Sequence, residues 1–183
     1  RPGPATGLPT RTEQSDLSFL LTAAQGEFPR AVISIRNAEE GFYKTVKALN
    51  LADKYQTLVI ILTDQYLADA NLTIPKYDLS NVKIEKYISN GEELQEGEDY
   101  KRYKLTENGI SPRMIPGNSK GQTVLVDSDE HTEEAHITES SIVRNSQMEK
   151  RMKKLQLIKE EMEEPEFIGN EDLDILLVGF GST

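Results

Sequence analysis

Five consecutive apolar residues, Leu58-Val59-Ile60-Ile61-Leu62, make a stable β-strand only where both of its faces are covered. Successive side chains point to opposite sides, and a half-exposed strand would alternate. A second β-prone run occupies 31–35. Between the two, Asn37 and Glu40 have capping-box spacing, followed by Phe42, Val46, Leu49 and Ala52 on one side of a helix. Asp64 begins another short helical stretch. Strand, helix, strand, helix with buried strands predicts an α/β fold with a parallel sheet covered by helices. Upstream, Thr10 and Glu13 repeat the capping-box pattern ahead of Leu17, Leu20, Leu21 and Ala24, which predicts a helix over about 11–25 with one buried face, stopped by Gly26.

Beyond this core the pattern loosens. Val82-Lys83-Ile84-Glu85-Lys86-Tyr87-Ile88 alternates at period two and reads as an edge or one-sided strand, whereas 91–121 is polar and rich in turn residues. Val124-Leu125-Val126 is a brief strand candidate. A long helix is expected between Ser140 or Ser141 and Pro165, with Met148, Met152, Leu155, Ile158 and Met162 as a stripe for core or interface packing. Leu173-Asp174-Ile175-Leu176-Leu177-Val178 followed by Gly179-Phe180-Gly181-Ser182-Thr183 reads as the first strand and turn of a further α/β unit. With an opening Arg1-Pro2-Gly3-Pro4 in place of an initiator Met or leader, these features give the expectation of a piece of a longer protein. Residues 1–164 would form most of one domain, 165–172 a linker, and 173–183 the start of the next.

Of 183 residues, 31 are Asp or Glu and 21 are Lys or Arg, a formal net charge of −10. Such a balance disfavours nucleic acid and anionic lipid, whose binding needs a basic face. The longest uncharged apolar stretch, 17–26, is ten residues, short of the ~20 needed to span a bilayer. There is no cysteine, which excludes disulfides, thiolate chemistry, cysteine zinc sites and iron–sulfur ligation within this chain. A reducing cytoplasmic setting fits.

Three segments could carry chemistry. In 1–12, a Pro/Gly-rich loop delivers Arg1, Thr6, Thr10, Arg11 and Thr12 to a helix start, where free amide donors and the helix dipole favour an anion; an arginine fork matches a carboxylate or phosphate. It contains no P-loop pattern. In 127–139, six acidic side chains accompany His131 and His136, a composition suited to a divalent metal. The five-residue spacing of the histidines departs from the three or four of a shared helix face, so an acidic loop with hydrogen-bonded histidines is the simpler reading and no metal ligand is assigned. In 179–183, Gly-x-Gly resembles the start of a dinucleotide fingerprint but reads as a packing turn. No catalytic triad can be built from these motifs, and no catalytic residue is assigned.

The segment Arg1-Pro2-Gly3-Pro4-Ala5-Thr6-Gly7-Leu8-Pro9-Thr10-Arg11-Thr12-Glu13-Gln14-Ser15-Asp16-Leu17 resembles the signature of the α subunit of 2-oxoacid:ferredoxin oxidoreductases, most closely the 2-oxoglutarate type. Gly26-Glu27-Phe28-Pro29-Arg30, Asn50-Leu51-Ala52-Asp53-Lys54-Tyr55-Gln56, Tyr103-Lys104-Leu105-Thr106-Glu107-Asn108-Gly109-Ile110-Ser111-Pro112-Arg113 and the 127–139 run resemble the same subunit in the same order. The resemblance implies a three-layer parallel-sheet thiamine-diphosphate-binding domain of the pyrimidine type over 1–164, then the first strand of a transketolase C-terminal-like domain. It implies oxidative decarboxylation of a 2-oxoacid with coenzyme A to acyl-CoA, carbon dioxide and reduced ferredoxin. Thiamine diphosphate and Mg2+ would be shared with a β subunit that carries the iron–sulfur cluster. Arg1 would grip the 2-oxoacid carboxylate, Arg11 is a second possibility, and Thr6 and Gly7 would line the same loop. Because the acidic residue that activates the cofactor lies outside this sequence, the fragment alone is expected to be inactive. Ala135 stands where the family pattern suggests glycine, and the resemblance gives His131 and His136 no role. Two rival readings are a non-catalytic interaction module docking through the methionine-striped helix, and a metal-dependent hydrolase centred on 127–139.

Overall fold

A computed structural model describes residues 16–92, 94–117 and 121–183. Its chain falls into two compact units, the first containing 16–52, 57–84 and 161–183, the second containing 53–56 and 85–160. In the first, α1 (Asp16–Thr22) precedes β1 (Arg30–Ser34), and α2 (Ala38–Tyr55) crosses over to β2 (Leu58–Leu62), which is followed by the short α3 (Gln65–Asp69). The strands pair in parallel, Arg30 opposite Leu58 through Ser34 opposite Leu62, as the sequence pattern predicts.

Asn37 Oδ1 accepts the Glu40 amide at 2.9 Å, the first half of the predicted capping box. The return half closes one residue earlier than the pattern suggests: the Glu40 carboxylate takes the Arg36 amide and guanidinium, at 2.9 and 2.8 Å, instead of the Asn37 amide. Burial first pushes the Glu40 carboxyl up, but these Arg36 bonds and the Lys44 ammonium outweigh it and bring the group to about 2. The helix buries Ala48, Leu51 and Tyr55, not the predicted stripe through Leu49, which is exposed. Tyr77 stacks on Phe42, with ring centroids 4.1 Å apart, and Asn50 donates to the Lys83 carbonyl at 2.8 Å.

Five expectations need correction. The face of α1 is not buried: none of its residues is, and Phe19 and Leu21 are exposed. β2 is only half-covered, with Leu58 48% exposed, because the described sheet has two strands where a fully buried strand needs neighbours and layers on each side. Residues 82–88 form no strand, since side chains take backbone groups that a ladder would use: Asn50 binds the Lys83 carbonyl and Asp53 the Tyr87 amide. Nor do 124–126 or 173–178. In the last of these Leu177 and Val178 are 90% and 89% exposed, and no described strand lies beside them. The segment after residue 161 is held by its ends. Glu163 pairs with Lys47, Glu166 with Arg36, and Ser182 bonds Asp64.

In the second unit a tight hairpin joins 130 to 138, with the Thr138 amide on the Glu130 carbonyl and the Thr132 amide on that of His136, both at 2.9 Å. At its tip Ala135 is buried with φ of +71°, a left-handed conformation that glycine adopts freely. This explains why glycine suits the position. Ser140 then caps α4 (Ser141–Glu161) through its hydroxyl and carbonyl. The buried face of α4 carries Gln147, Lys150, Lys154 and Ile158, so of the predicted stripe only Ile158 is core. Gly109, at φ +77°, lies against α4 so closely that a Cβ would sit 2.3 Å from the Lys150 carbonyl oxygen.

These two positions behave oppositely. Gly109→Ala is expected to destabilise the protein by about 2–4 kcal/mol, since it adds left-handed strain and forces a helix backbone away. Ala135→Gly should stay within about 1 kcal/mol of wild type, because relief of strain offsets the lost methyl burial and extra unfolded-state entropy. Urea unfolding midpoints measure both, and a tolerated Gly109→Ala contradicts the packing described.

Candidate functional site

Arg1, Thr6, Gly7 and Arg11 lie outside the described residues, as do Thr10 and Glu13. What is described is the ground into which that segment leads. The C-terminal carbonyls of α1 are taken by Arg30 at the start of β1: its Nη1 donates to Leu20 O at 2.8 Å and Ala23 O at 2.9 Å, while the guanidinium lies 4.2 Å from the centre of the Phe28 ring. Thus Gly26-Glu27-Phe28-Pro29-Arg30 places a cation on the negative end of a helix.

At the carboxyl edge of the sheet, where open α/β sheets bind ligands, Asp64 caps α3 and also accepts the Ser182 amide at 3.0 Å and hydroxyl at 2.6 Å. The Ser182 hydroxyl, followed by the Leu67 amide, holds the Asp64 carboxyl below its ordinary value. Gly181, at φ +77°, approaches this carboxylate so closely that a Cβ would lie 3.1 Å away. The Gly-x-Gly run is therefore a packing turn. Two polar atoms at this edge are buried without partners, Ser34 Oγ and Gln65 Oε1. They have free hydrogen-bonding capacity toward a polar group of a bound organic cofactor.

In the second unit the acidic run and the 103–113 motif form one polar assembly with α4. Glu130 accepts from Arg151 at 2.8 and 2.9 Å and from Arg144 at 2.6 Å, while Lys101 pairs with Glu134 at 2.8 Å and Glu133 at 3.4 Å. Hydrogen bonds from Lys101 and Thr132 bring the Glu134 carboxyl to about 2. His131 lays its ring on Tyr103 at 3.6 Å between centroids, with Nδ1 2.6 Å from the Asp129 carbonyl. Among the described residues no three His, Asp or Glu side chains gather as metal ligands; Glu130, Glu133 and Glu134 instead face cations, and Asp127 accepts the Asp129 amide. The hydrolase reading has no ligand set here.

The residues that the sequence reading missed are Gln147, Lys150 and Lys154, which share one face of α4 at spacings of three and four. Gln147 Nε2 and Lys150 Nζ both donate to the Tyr103 carbonyl, at 3.2 and 2.9 Å, and Lys150 also reaches Ser111 Oγ at 3.0 Å. Ser111 in turn donates to the Lys104 carbonyl at 2.8 Å. Lys154 reaches the Gln56 carbonyl just past the end of α2, at 3.4 Å. The two lysines are 5% and 8% exposed. Burial, then the positive neighbours Lys154, Arg151 and Arg102, lowers Lys150 to about 8; burial, then Arg102 and Arg151, does the same for Lys154.

Folded-state values near 8 against an ordinary lysine value of 10.5 mean that the unfolded chain binds these protons more tightly. Stability should therefore rise as pH climbs from about 8 toward about 10.5. Lys150→Met, which keeps the chain's reach without its charge, should flatten that rise. Urea midpoints of both proteins at about pH 7.5 and about pH 9.5 decide the matter; equal slopes would show that the buried ammonium is not the source.

The family model "Pyruvate flavodoxin/ferredoxin oxidoreductase, thiamine diP-bdg" matches residues 1–151. The chain is 46% identical over 165 residues to 2-oxoacid:ferredoxin oxidoreductase 1, subunit alpha, of Sulfurisphaera tokodaii, covering 90% of this chain and 26% of that protein. It is 42% identical over 191 residues to the corresponding subunit alpha of Saccharolobus solfataricus, covering 100% of this chain and 29% of the relative. The chain thus spans between a quarter and a third of the length of these relatives. Among solved structures, the 2-oxoglutarate:ferredoxin oxidoreductase from Magnetococcus marinus with 2-oxoglutarate, coenzyme A and succinyl-CoA bound matches with a TM-score of 0.81 and 35% identity, over 93% of this chain and 29% of that one.

Proposed function

Because the chain belongs to the pyruvate flavodoxin/ferredoxin oxidoreductase family, matched over 1–151 in its thiamine-diphosphate domain, we propose that it is part of the α subunit of a 2-oxoacid:ferredoxin oxidoreductase. The reaction is oxidative decarboxylation of a 2-oxoacid, with 2-oxoglutarate the favoured substrate, using coenzyme A and ferredoxin. The observation that carries this reading is the 46% identity sustained over 90% of the chain to an α subunit of that name. Similarity to a structure holding 2-oxoglutarate and coenzyme A supports the choice of substrate.

Residues 1–164 make up the later part of the pyrimidine-type domain, 165–172 the linker, and 173–183 the start of a transketolase C-terminal-like domain. Thiamine diphosphate and Mg2+ are shared with a β subunit, which also carries the iron–sulfur cluster, a division that agrees with the absence of cysteine here. When bound, the cofactor supplies the carbanion that adds to the 2-oxo carbon. Ser34 and Gln65 are described residues with hydrogen-bonding capacity to spare for it. Arg1 grips the substrate carboxylate with a planar, two-donor fork and so orients the acid for attack. Thr6 and Gly7 line the same loop, with Arg11 as a second cation. A cytoplasmic setting fits, and no described helix is long and apolar enough to cross a membrane.

The test is anaerobic viologen reduction by the full-length parent assembled with its β subunit, comparing several 2-oxoacids with coenzyme A. Arg1→Ala should lose about 2–4 kcal/mol of transition-state binding, a fall in kcat/KM of roughly 30-fold or more. A cofactor-loaded complex inert to every 2-oxoacid would overturn the assignment of activity; an unimpaired Arg1→Ala would overturn the anchor.

A further inference from the structure

We propose that Asn90 is a site of spontaneous deamidation in the folded protein, and that Asn108, its chemical equivalent in the sequence, is protected by its place against α4. Both residues belong to the second unit, and the inference stands apart from the function argued above.

The sequence holds two Asn-Gly pairs, Asn90-Gly91 and Asn108-Gly109. In such a pair the peptide nitrogen of the glycine attacks the side-chain carbonyl carbon of the asparagine. A bond forms between them, the bond from that carbon to the side-chain nitrogen breaks, and ammonia leaves with the proton that the peptide nitrogen gives up. Water then opens the resulting five-membered imide at either carbonyl, giving aspartate or isoaspartate. Glycine favours the first step, because it has no Cβ to obstruct the approach and its backbone turns freely.

Both side chains are set for the attack. Asn90 Oδ1 accepts the Glu92 amide at 3.1 Å, and Asn108 Oδ1 accepts the Ile110 amide at 3.0 Å. A turn of this kind folds the side-chain carbonyl over the intervening glycine peptide. Both asparagines are exposed, so water can enter and ammonia can leave. What separates them is the freedom of the glycine.

Gly109 is buried and its amide donates to the Thr106 carbonyl at 3.3 Å. It lies so close to α4 that a Cβ would sit 2.3 Å from the Lys150 carbonyl oxygen. Imide closure needs the peptide plane to rotate and the nitrogen to advance, which here means lifting the 106–109 turn off helix backbone, a local opening. Gly91 has no such wall. It is half-exposed, and the nearest atoms to a Cβ there are side-chain ends, Met114 Cε at 2.8 Å and Leu94 Cδ1 at 3.9 Å. Its amide donates to the Ser89 hydroxyl at 3.0 Å, an acceptor that moves with a single side-chain torsion.

Isoaspartate at 90 lengthens the main chain by one carbon and adds a carboxylate two residues before Glu92. The neighbouring Ser89 amide is bonded to the Arg113 carbonyl at 2.8 Å, and buried Met114 follows. The lesion therefore falls where the 89–91 turn joins the end of the 103–113 motif.

The experiment ages the folded full-length parent in mildly alkaline buffer, beside a sample held in urea, and follows both Asn-Gly peptides by mass spectrometry with fragmentation that separates isoaspartate from aspartate. In the folded chain Asn90 is expected to convert roughly tenfold or more faster than Asn108. In urea the two should convert within about twofold of each other, since the following glycine then sets both rates. Asn90→Gln, which would have to close a larger ring, should remove most of the isoaspartate that a methyltransferase assay detects in the aged folded protein. Comparable conversion at the two positions in the folded chain overturns the inference. So does an Asn90 that stays intact while the sample in urea converts, and so does an Asn90→Gln protein with undiminished isoaspartate.

Discussion

Parallel strands cannot be joined by a tight turn, because the chain must return to the end from which it started. That constraint organises the first unit. α2 has to carry the chain back from Ser34 to Leu58, and its flank becomes the surface on which other segments are secured. Lys44 reaches back to the Ser34 carbonyl, Lys47 takes Glu163, and the Tyr77 ring stacks on Phe42. Asp64, placed at the carboxyl edge by β2, holds Ser182. Segments without regular structure are thus ordered by side chains of the crossover and its strands, which explains how 77–83 and 163–182 take defined paths with no ladder of their own.

Cations at helix ends recur as the means of closure. Arg30 satisfies the end of α1, and within the second unit Lys154 reaches the carbonyl just beyond the end of α2. In each case a basic side chain from another element meets the partial negative charge of unsatisfied carbonyls. Arg30 retains contact with solvent, so little is lost in placing it there. Lys150 and Lys154 are nearly enclosed and bond carbonyl and hydroxyl oxygens in place of carboxylates. Desolvation is then only partly offset, and the ammonium groups hold their protons weakly. Their value is geometric: Lys150 binds the Tyr103 carbonyl and the Ser111 hydroxyl at once, and so fastens both limbs of the 103–113 motif to α4.

The histidines and acids of 127–139 show how a chemically suggestive composition can serve architecture. Glu130 organises Arg144 and Arg151, Glu133 and Glu134 organise Lys101, and His131 becomes a ring partner for Tyr103, tilted by 35°. A metal site needs carboxylates converging on one point with their lone pairs free. Here Glu130 turns to Arg144 and Arg151, while Glu133 and Glu134 turn to Lys101. That divergence is a property of the hairpin and its neighbours, and residue type and spacing alone could not distinguish it from a ligand cluster.

Local periodicity and cap chemistry were sufficient to read β1, α2, β2 and α4 from the chain, along with the parallel pairing, because each depends on contacts within a few residues or on one repeated pattern. Ser140 as a cap and Asn37 as the first half of a capping box belong to the same class. The family signatures were legible as strings, and Arg30, Gly109 and Ala135 were visible within them without their roles. Tertiary structure alone decided that α1 lies unburied, that the core face of α4 is Gln147, Lys150, Lys154 and Ile158 in place of methionine, and that the 82–88 and 173–178 runs form no strand. The physical reason is common to all four. Whether an apolar run is buried, a lysine enclosed or a backbone amide paired depends on what another part of the chain places opposite it, and that neighbour lies tens of residues away.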